Sequence, residues 1–281
     1  MHPCFDNAAH GKYGRIHLPV SATCNIKCRF CERDINANEL CPGVTRGILK
    51  PEQAADTVAR ALKLCPEIKV VGIAGPGDAL ADDTALAVFR LVQQKFPQLS
   101  LCLSTNGLGL KGKAQALFDL GVRHLTVTVN AVDPAIGEKI VSHVDFEGKR
   151  HEGTEAARIL LERQLAGIKE AAELGIDIKI NTVLIPGIND NHIEDIARTI
   201  AQLGAKRHNI IPLIPRGELS EVNRPDCAAK KKARQDSEKH ITVFRDCTHC
   251  RADACGVPGK SEFSQDLYKD IEGFRCGNRC G

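Results

Sequence analysis

"LSLCLSTNGLGLKGKAQALFDLGVRHLTVTVN", residues 99–130, decides the fold. It opens on a short apolar run, passes through the helix-period segment "KAQALFDLG" (113–121) and ends on a second apolar run. Strand, helix, strand in that order is the signature of a parallel sheet with helices outside. Side chains alternate along each run. Leu101 and Leu103 share one side of the first, and Cys102, Ser104 and Asn106 the other. In the second, Leu125, Val127 and Val129 face one way while Thr126, Thr128 and Asn130 face the opposite way. One face suits a helix layer and the other is polar. A packed parallel barrel fills its lumen with branched apolar residues, so this polar interior is built to hold something.

The unit recurs on both sides. "RIHLPV" (15–20) precedes "PEQAADTVARALKLC" (51–65), and "IKVVGIA" (68–74) precedes "DDTALAVFRLVQQKF" (82–96). Downstream come "EAARILLERQLAGIKEAAELG" (155–175), "IDIKINTVL" (176–184), "DNHIEDIARTIAQLG" (190–204) and "HNIIPLI" (208–214). Pro51 marks a helix start, and glycines at 121, 175 and 204 mark helix ends. Six such strands predict an α/β fold, a partial (β/α)6 TIM-like barrel over 15–225. It would be preceded by an arm at 1–14 and followed by a cysteine-containing extension at 226–281. An open doubly wound sheet is the alternative. Alternation in the outer strands puts Ile16, Leu18 and Val20 on one face with His17 on the other, and turns Asn181 inward.

Composition narrows the function. A chain of 281 residues with 43% hydrophobic content can fill one large core. The formal charge of +3 is mild, the run Lys230–Lys231–Lys232 reads as a solvated helix face, and 4% aromatics offer few base-stacking surfaces. Nucleic acid is therefore not an expected partner. The start, "MHPCFDNAAHGKYGR", has no apolar leader core, and no run of about 18 apolar residues spans a membrane. A cytoplasmic protein is expected. Thirteen cysteines in a reducing compartment, an odd number, favour metal binding over a disulfide framework.

Three of them stand close together in "SATCNIKCRFCERD" (21–34), directly after the first strand. Cys24, Cys28 and Cys31 at C-x3-C-x2-C spacing can hold three irons of a four-iron cubane and leave the fourth open. Structural zinc would want a fourth ligand nearby, usually in paired C-x2-C units. With Phe30 before the third cysteine and a strand before the first, the motif resembles that of the radical S-adenosylmethionine (SAM) superfamily. That resemblance implies a [4Fe-4S] cluster whose open iron chelates SAM and whose electron cleaves it to a 5'-deoxyadenosyl radical. Two strand ends fit, since α/β barrels keep their sites there. "AGPGD" offers Gly75, Pro76, Gly77 and Asp78, with the glycines allowing close approach of backbone to the methionyl ammonium. "STNG" and "TVTVN" offer Ser104, Asn106 and Asn130 for the carboxylate and ribose, with Asn181 inward beside them.

"HPC" with Cys4, "AGPGD", "LCLSTNG", "TVTVNAVDP" and the late "CTHCRADACG" follow one another in that order. The combination, from Cys4 to about Gly256, resembles the NifB family of radical SAM enzymes, which build the eight-iron precursor of the nitrogenase cofactor. The resemblance implies two further [4Fe-4S] clusters held as substrates, fused with an added sulfur and a SAM-derived carbide. It implies Cys24, Cys28 and Cys31 on the SAM cluster, Cys4 and Cys102 on one substrate cluster, and Cys247 and Cys250 on the other. His17 is the natural extra ligand, because a neutral imidazole exchanges more readily than a thiolate. The implied partners are a ferredoxin or flavodoxin as electron donor, a cluster donor, and a downstream carrier or nitrogenase assembly scaffold.

The chain departs from the family in places. Glu39-Leu40-Cys41-Pro42 stands where the family shows Glu-x-Arg-Pro. Cys255, Cys276 and Cys280 match no family position, Cys65 and Cys227 carry no assigned role, and the carrier domain that follows the barrel in many members has no room here. Two alternatives remain: a radical SAM enzyme with an auxiliary cluster acting on an organic or peptide substrate, and a non-catalytic iron–sulfur carrier or zinc scaffold. Lumenal Cys4 and Cys102 speak against the first, because they would fill the space an organic substrate needs. The second leaves "AGPGD" and "TVTVN" without purpose.

Overall fold

In a computed structural model, residues 2–6, 8–35, 39, 41–269 and 271 are described. Six parallel strands follow chain order across one sheet: β1 (Gly14–His17), β2 (Ile68–Ile73), β3 (Ser100–Thr105), β4 (Val122–Thr128), β5 (Asp177–Leu184) and β6 (Arg207–Pro212). The helices between them are α1 (Ala54–Leu64), α2 (Thr84–Lys95), α3 (Ala114–Asp119), α4 (Gly153–Glu173) and α5 (Ile193–Gln202). A doubly wound sheet reverses its strand order at a switch point. Here the order never reverses, which is the arrangement of a partial TIM-like barrel.

The registers carry the alternation into three dimensions. Cys102 lies beside His124, Ser104 beside Thr126, Thr128 beside Asn181, and Asn181 beside Asn209. Leu101, Leu103, Leu125, Val127, Ile178 and Ile180 are fully buried against the helix layer. Burying an apolar side chain of this size is worth about 1.5–3 kcal/mol, so a one-residue register slip, which would turn all six into the polar lumen, is strongly disfavoured. β1 is shorter than its apolar run because Pro19 has no N–H to continue the ladder. Pro51 opens a 3-10 turn that leads into α1, and Gly121, Gly175 and Gly204 take positive φ just past helix ends.

Two further elements shape the site. A hairpin, Val141–Phe146 with Lys149–Glu152, turns on Glu147 and Gly148, both at positive φ (51° and 74°). It adds the short strand Ile26–Cys28 to its edge. Past β6, helix α6 (Cys227–Glu238) leads to Thr242–Val243, which extends the sheet beside β6, and Cys255–Gly256 pairs antiparallel with β1 at the other edge. Asp253, fully buried, holds Arg46 at 3.1 Å and Arg251 at 2.8 Å and so fixes this returning segment. No helix among the described residues is long and apolar enough to cross a membrane.

Candidate active site

The cysteine loop is gripped from three sides. Ile26–Cys28 pairs with the hairpin, Cys28 standing opposite Val141, and Cys24 and Cys28 pack against an apolar cluster that includes Ile26, Leu108 and Val144. The Arg29 carbonyl accepts the Glu218 N–H at 2.8 Å, and the Arg29 guanidinium pairs with the Glu218 carboxylate. From β2, the Gly77 N–H donates to the Ser21 carbonyl and the Asp78 N–H to the Thr23 carbonyl, both at 2.7 Å. A Cβ on Gly77 would stand 1.8 Å from the Thr23 oxygen, so only glycine fits there. Gly77 is thus required by the cysteine loop, a reason separate from the close approach of a ligand.

Burial pushes the Cys24, Cys28 and Cys31 thiols up, Cys28 most, and Arg33 pulls each of them back. Each also feels the charge of a sibling or, for Cys31, of Cys41, which places these thiols in one neighbourhood. Among the described residues no three His, Cys, Asp or Glu side chains converge on a single-ion position. Cubane ligands sit on different irons and stand farther apart than ligands of one ion. Soft thiolates from three closely spaced cysteines are the donor set that an iron–sulfur cluster takes, so these residues fit the group.

The three cysteines form one wall of a cavity of about 290 Å³ at the C-terminal ends of the strands. Phe30, Pro76, Gly77, Asp78, Ser104, Asn106, Asn130 and Asn181 all line it. Gly75 does not, although its φ of +123° sets the turn. The Asp78 carboxylate, which the sequence assigned to the cofactor, is held by the protein itself. It accepts from the Thr105 hydroxyl at 2.9 Å, the Leu80 N–H at 2.9 Å and the Asn106 N–H at 2.5 Å. It bolts the end of β3 to the "AGPGD" loop. The Asn106 side chain donates to Asn25 Oδ1 at 2.7 Å and approaches Cys24 Sγ at 3.7 Å, so it orients the cysteine loop as well as lining the cavity. Asn130 accepts the Val183 N–H and Asn181 accepts from Asn209, which aims both amides by their oxygens.

The remaining sequence-assigned residues lie outside that cavity and gather deeper in the barrel. Residues 2–5 fold under the N-terminal ends of the strands, where the Phe5 ring sits 5.0 Å from His124 with Lys179 Nζ 4.7 Å from its centre. Lys179 Nζ also donates to the Cys4 carbonyl at 3.1 Å. Burial pushes the Cys4 thiol up while Lys179 and Arg15 pull it down, and Cys250 and Cys247 act on it in turn. Burial pushes Cys102 up to about 12, with Lys179 opposing and Cys4 adding. The His17 ring rests over Gly72, and its Nδ1 donates to the Arg251 carbonyl at 3.1 Å. Burial, with Arg15 nearby, lowers it to about 4, so at neutral pH the ring is uncharged and Nε2 keeps a lone pair. A carbonyl behind one ring nitrogen is how metal-binding imidazoles are oriented.

Several contributors escaped the sequence reading. Gln164, buried on α4, donates to the Asn106 and Thr128 carbonyls at 2.7 and 2.9 Å. Cys41 and Arg216 line the cavity, and Arg216 pairs with Glu39 at 2.9 Å, bringing a guanidinium from the end of the barrel to the segment whose Arg is replaced by Cys41. Arg15 and Lys179 carried a signal, since the alternation that turns His17 and Asn181 inward turns these two inward as well. Cys65 and Cys255 are buried, Cys227 is exposed, and the eleven described cysteines are all free. Cys276 and Cys280 lie outside the described residues.

A cysteine triad feeding a cavity at the top of a parallel partial barrel defines a class, and the radical SAM superfamily model matches residues 18–200. The chain belongs to that superfamily and is a radical SAM enzyme, which implies a [4Fe-4S] cluster and SAM. A radical SAM methyltransferase from Sphaerobacter thermophilus shares the fold at TM-score 0.62 and 17% identity, over 85% of this chain and 69% of that one. Within the superfamily the chain belongs to the NifB family. It is 47% identical over 272 residues to the FeMo cofactor biosynthesis protein NifB of Methanocaldococcus infernus, covering 96% of this chain and 89% of the relative. The corresponding protein of Methanocaldococcus jannaschii is 46% identical over 273 residues, covering 96% and 90%.

Proposed function

We propose that this enzyme fuses two [4Fe-4S] clusters, with a SAM-derived carbide and an added sulfur, into the eight-iron precursor of the nitrogenase cofactor. The observation that supports this is that Cys4 lies within electrostatic reach of Cys102, Cys247 and Cys250, while these four thiols and His17, whose ring bonds the Arg251 carbonyl, all stand apart from the SAM cavity. An organic substrate would find that interior occupied by thiols. Cys24, Cys28 and Cys31 would hold the SAM cluster, which when bound supplies one electron to SAM. Ser104, Asn106, Asn130 and Asn181 orient SAM by hydrogen bonds, Phe30 and Pro76 wall the cavity, and Asp78 and Gly77 keep the two loops in register. Cys4 and Cys102, with His17, hold one substrate cluster, and Cys247 and Cys250 the other. Buried thiols must lose protons to bind iron, so loading is pH-dependent and releases protons. A low-potential ferredoxin or flavodoxin, a cluster donor and a product carrier are the partners this chemistry requires.

Iron and sulfide analysis of anaerobically purified protein, combined with SAM cleavage, tests it. About twelve irons are expected, four for each of three cubanes. About four irons with intact SAM cleavage would reduce the protein to a minimal radical SAM enzyme and reject the fusion reading.

A further inference from the structure

Arg15 is only 4% exposed, inside the barrel on β1. Its Nη1 donates to the Gly256 carbonyl at 2.8 Å, and its Nη2 is shared between Cys250 Sγ at 3.2 Å and Glu262 Oε2 at 3.3 Å. Its Nε–H is buried and has no hydrogen-bond partner. A guanidinium keeps its charge at any physiological pH, and burying it unpaired is expensive. Its one carboxylate partner is half-exposed and also ties down the N–H groups of Cys255 and Ser264. A buried donor without an acceptor calls for an explanation. Beside the Gly256 carbonyl and Glu262, the acceptor at hand is sulfur: Cys250 directly, with Cys4 within electrostatic reach.

We propose that Arg15 is the positioning residue of the substrate-cluster site built on Cys247 and Cys250. It holds the Cys250 sulfur by a charge-assisted hydrogen bond and supplies buried positive charge that favours the reduced, anionic form of the cluster loaded there. The proposal rests on the fusion reading above. Each thiolate and each added electron makes a cluster more negative, and cluster potentials follow net charge and the hydrogen bonds to their sulfurs. A guanidinium on a ligand sulfur favours the reduced cluster and so raises its potential. Because the same group lies within electrostatic reach of Cys4, it also offsets repulsion between the two clusters when they are reduced. Glu262 moderates this charge from its solvent side.

Arg15→Gln and Glu262→Gln separate this role from a structural one. In a mediated reductive titration followed by EPR, Arg15→Gln is expected to lower the reduced-to-oxidised ratio of one substrate cluster about tenfold at fixed potential, a midpoint about 59 mV more negative for a one-electron couple. Glu262→Gln, which keeps the Oε1 acceptor but removes the counter-charge, is expected to move the same midpoint the opposite way. A merely structural arginine would change stability and leave both midpoints in place. Should Arg15→Gln fail to fold, unaltered holoprotein grown with 15N-arginine decides. Pulsed EPR is expected to show 15N coupled to one reduced cluster, and its absence overturns the proposal, as do unchanged midpoints. A parent protein with about four irons would reject the fusion reading itself. About twelve irons without arginine coupling would reject only the role of Arg15.

Discussion

Gly77→Ala perturbs the joint on which both halves of the SAM site depend. The new methyl would stand 1.8 Å from the Thr23 oxygen, 2.5 Å from its carbonyl carbon and 2.9 Å from the Ser21 oxygen, all backbone atoms that no rotamer change can move. The "AGPGD" loop must withdraw, breaking the two 2.7 Å hydrogen bonds from Gly77 and Asp78 to the cysteine loop. Each bond is worth about 0.5–1.5 kcal/mol, and overpacking adds about 1–3 kcal/mol. The loss is therefore about 2–6 kcal/mol, a large share of the 5–15 kcal/mol typical of a domain. Gly112→Ala is the comparison, because Gly112 has a positive φ, +81°, which Gly77 lacks, and nothing lies within 4 Å of its would-be Cβ, so backbone strain is separated from the clash. It should lose only the about 1–2 kcal/mol of a left-handed backbone. Denaturant unfolding of the iron-free proteins gives both stabilities, and anaerobic reconstitution gives the SAM-cluster content. Gly77→Ala should be less stable than Gly112→Ala and should load that cluster poorly. Equal stabilities together with normal loading would refute the clamp.

Three further outcomes follow from the same geometry. Cys102→Ala should lower iron content by up to one cubane and stop cofactor formation while deoxyadenosine production persists, since Cys24, Cys28 and Cys31 keep their ligands; full iron with normal product would remove Cys102 from the ligand set. His17→Ala should abolish a histidine nitrogen coupling in the pulsed EPR spectrum of one cluster, and absence of that coupling in the parent would return His17 to a structural role. His208, fully buried between the Ser237 and Thr182 hydroxyls at 2.8 Å each, is lowered by burial to about 3. Unfolding lets it take up a proton, so its stability contribution is complete above about pH 6.5 and is lost as pH falls toward 3. His208→Gln should flatten the acid limb of the stability curve by up to about 1.4 kcal/mol per pH unit, and an unchanged slope would show that His208 is not held neutral.

The six strands were legible because each buries one face under helices, so apolar residues fall at every second position and the polar remainder marks the lumen. The same rule found Cys102, His17 and Asn181 without knowledge of any neighbour. It would have found Arg15 and Lys179 had charge been admitted to the lumen as readily as thiols. The hairpin at 141–152 was hidden, since "VSHVDFEGKRHE" alternates poorly and its third strand, Ile26–Cys28, lies more than a hundred residues away. Asp78 and Gly77 carry a scaffold role besides the cofactor contact expected of them, and that role was hidden because a strand-end "GPGD" has no local sign of the loops it will touch. Their partners, Thr105, Asn106, Ser21 and Thr23, come from two other loops. What sequence alone misses here is the scaffold of the site, whose residues act through contacts that only the closed sheet creates.

The proposed substrate-cluster ligands come from four segments: the N-terminal arm, β1, β3, and the stretch returning after α6. Ordering the arm costs about 1–2 kcal/mol per residue in backbone entropy. Phe5 and His2, both buried, offset this by packing on His124, with the cations of Lys179 and Arg207 lying 4.7 and 5.8 Å from the Phe5 ring. Cys4 therefore reaches the interior only when its neighbours dock. Cys250 is held through Arg15 and the Glu262-anchored turn, which belong to the opposite end of the chain. The SAM cavity, by contrast, is walled mostly by loops of the barrel and hairpin, and meets the returning segment through the 39–46 stretch, where Arg251 bonds the Glu39 carbonyl and Asp253 pairs with Arg46. The proposed lower site thus depends wholly on the docking of the two chain ends, whereas the SAM cavity touches only one of them and along one wall. The proposed fusion reaction, which receives bulky clusters and releases a larger product, would gain from ligands placed on segments whose ordering is easily reversed.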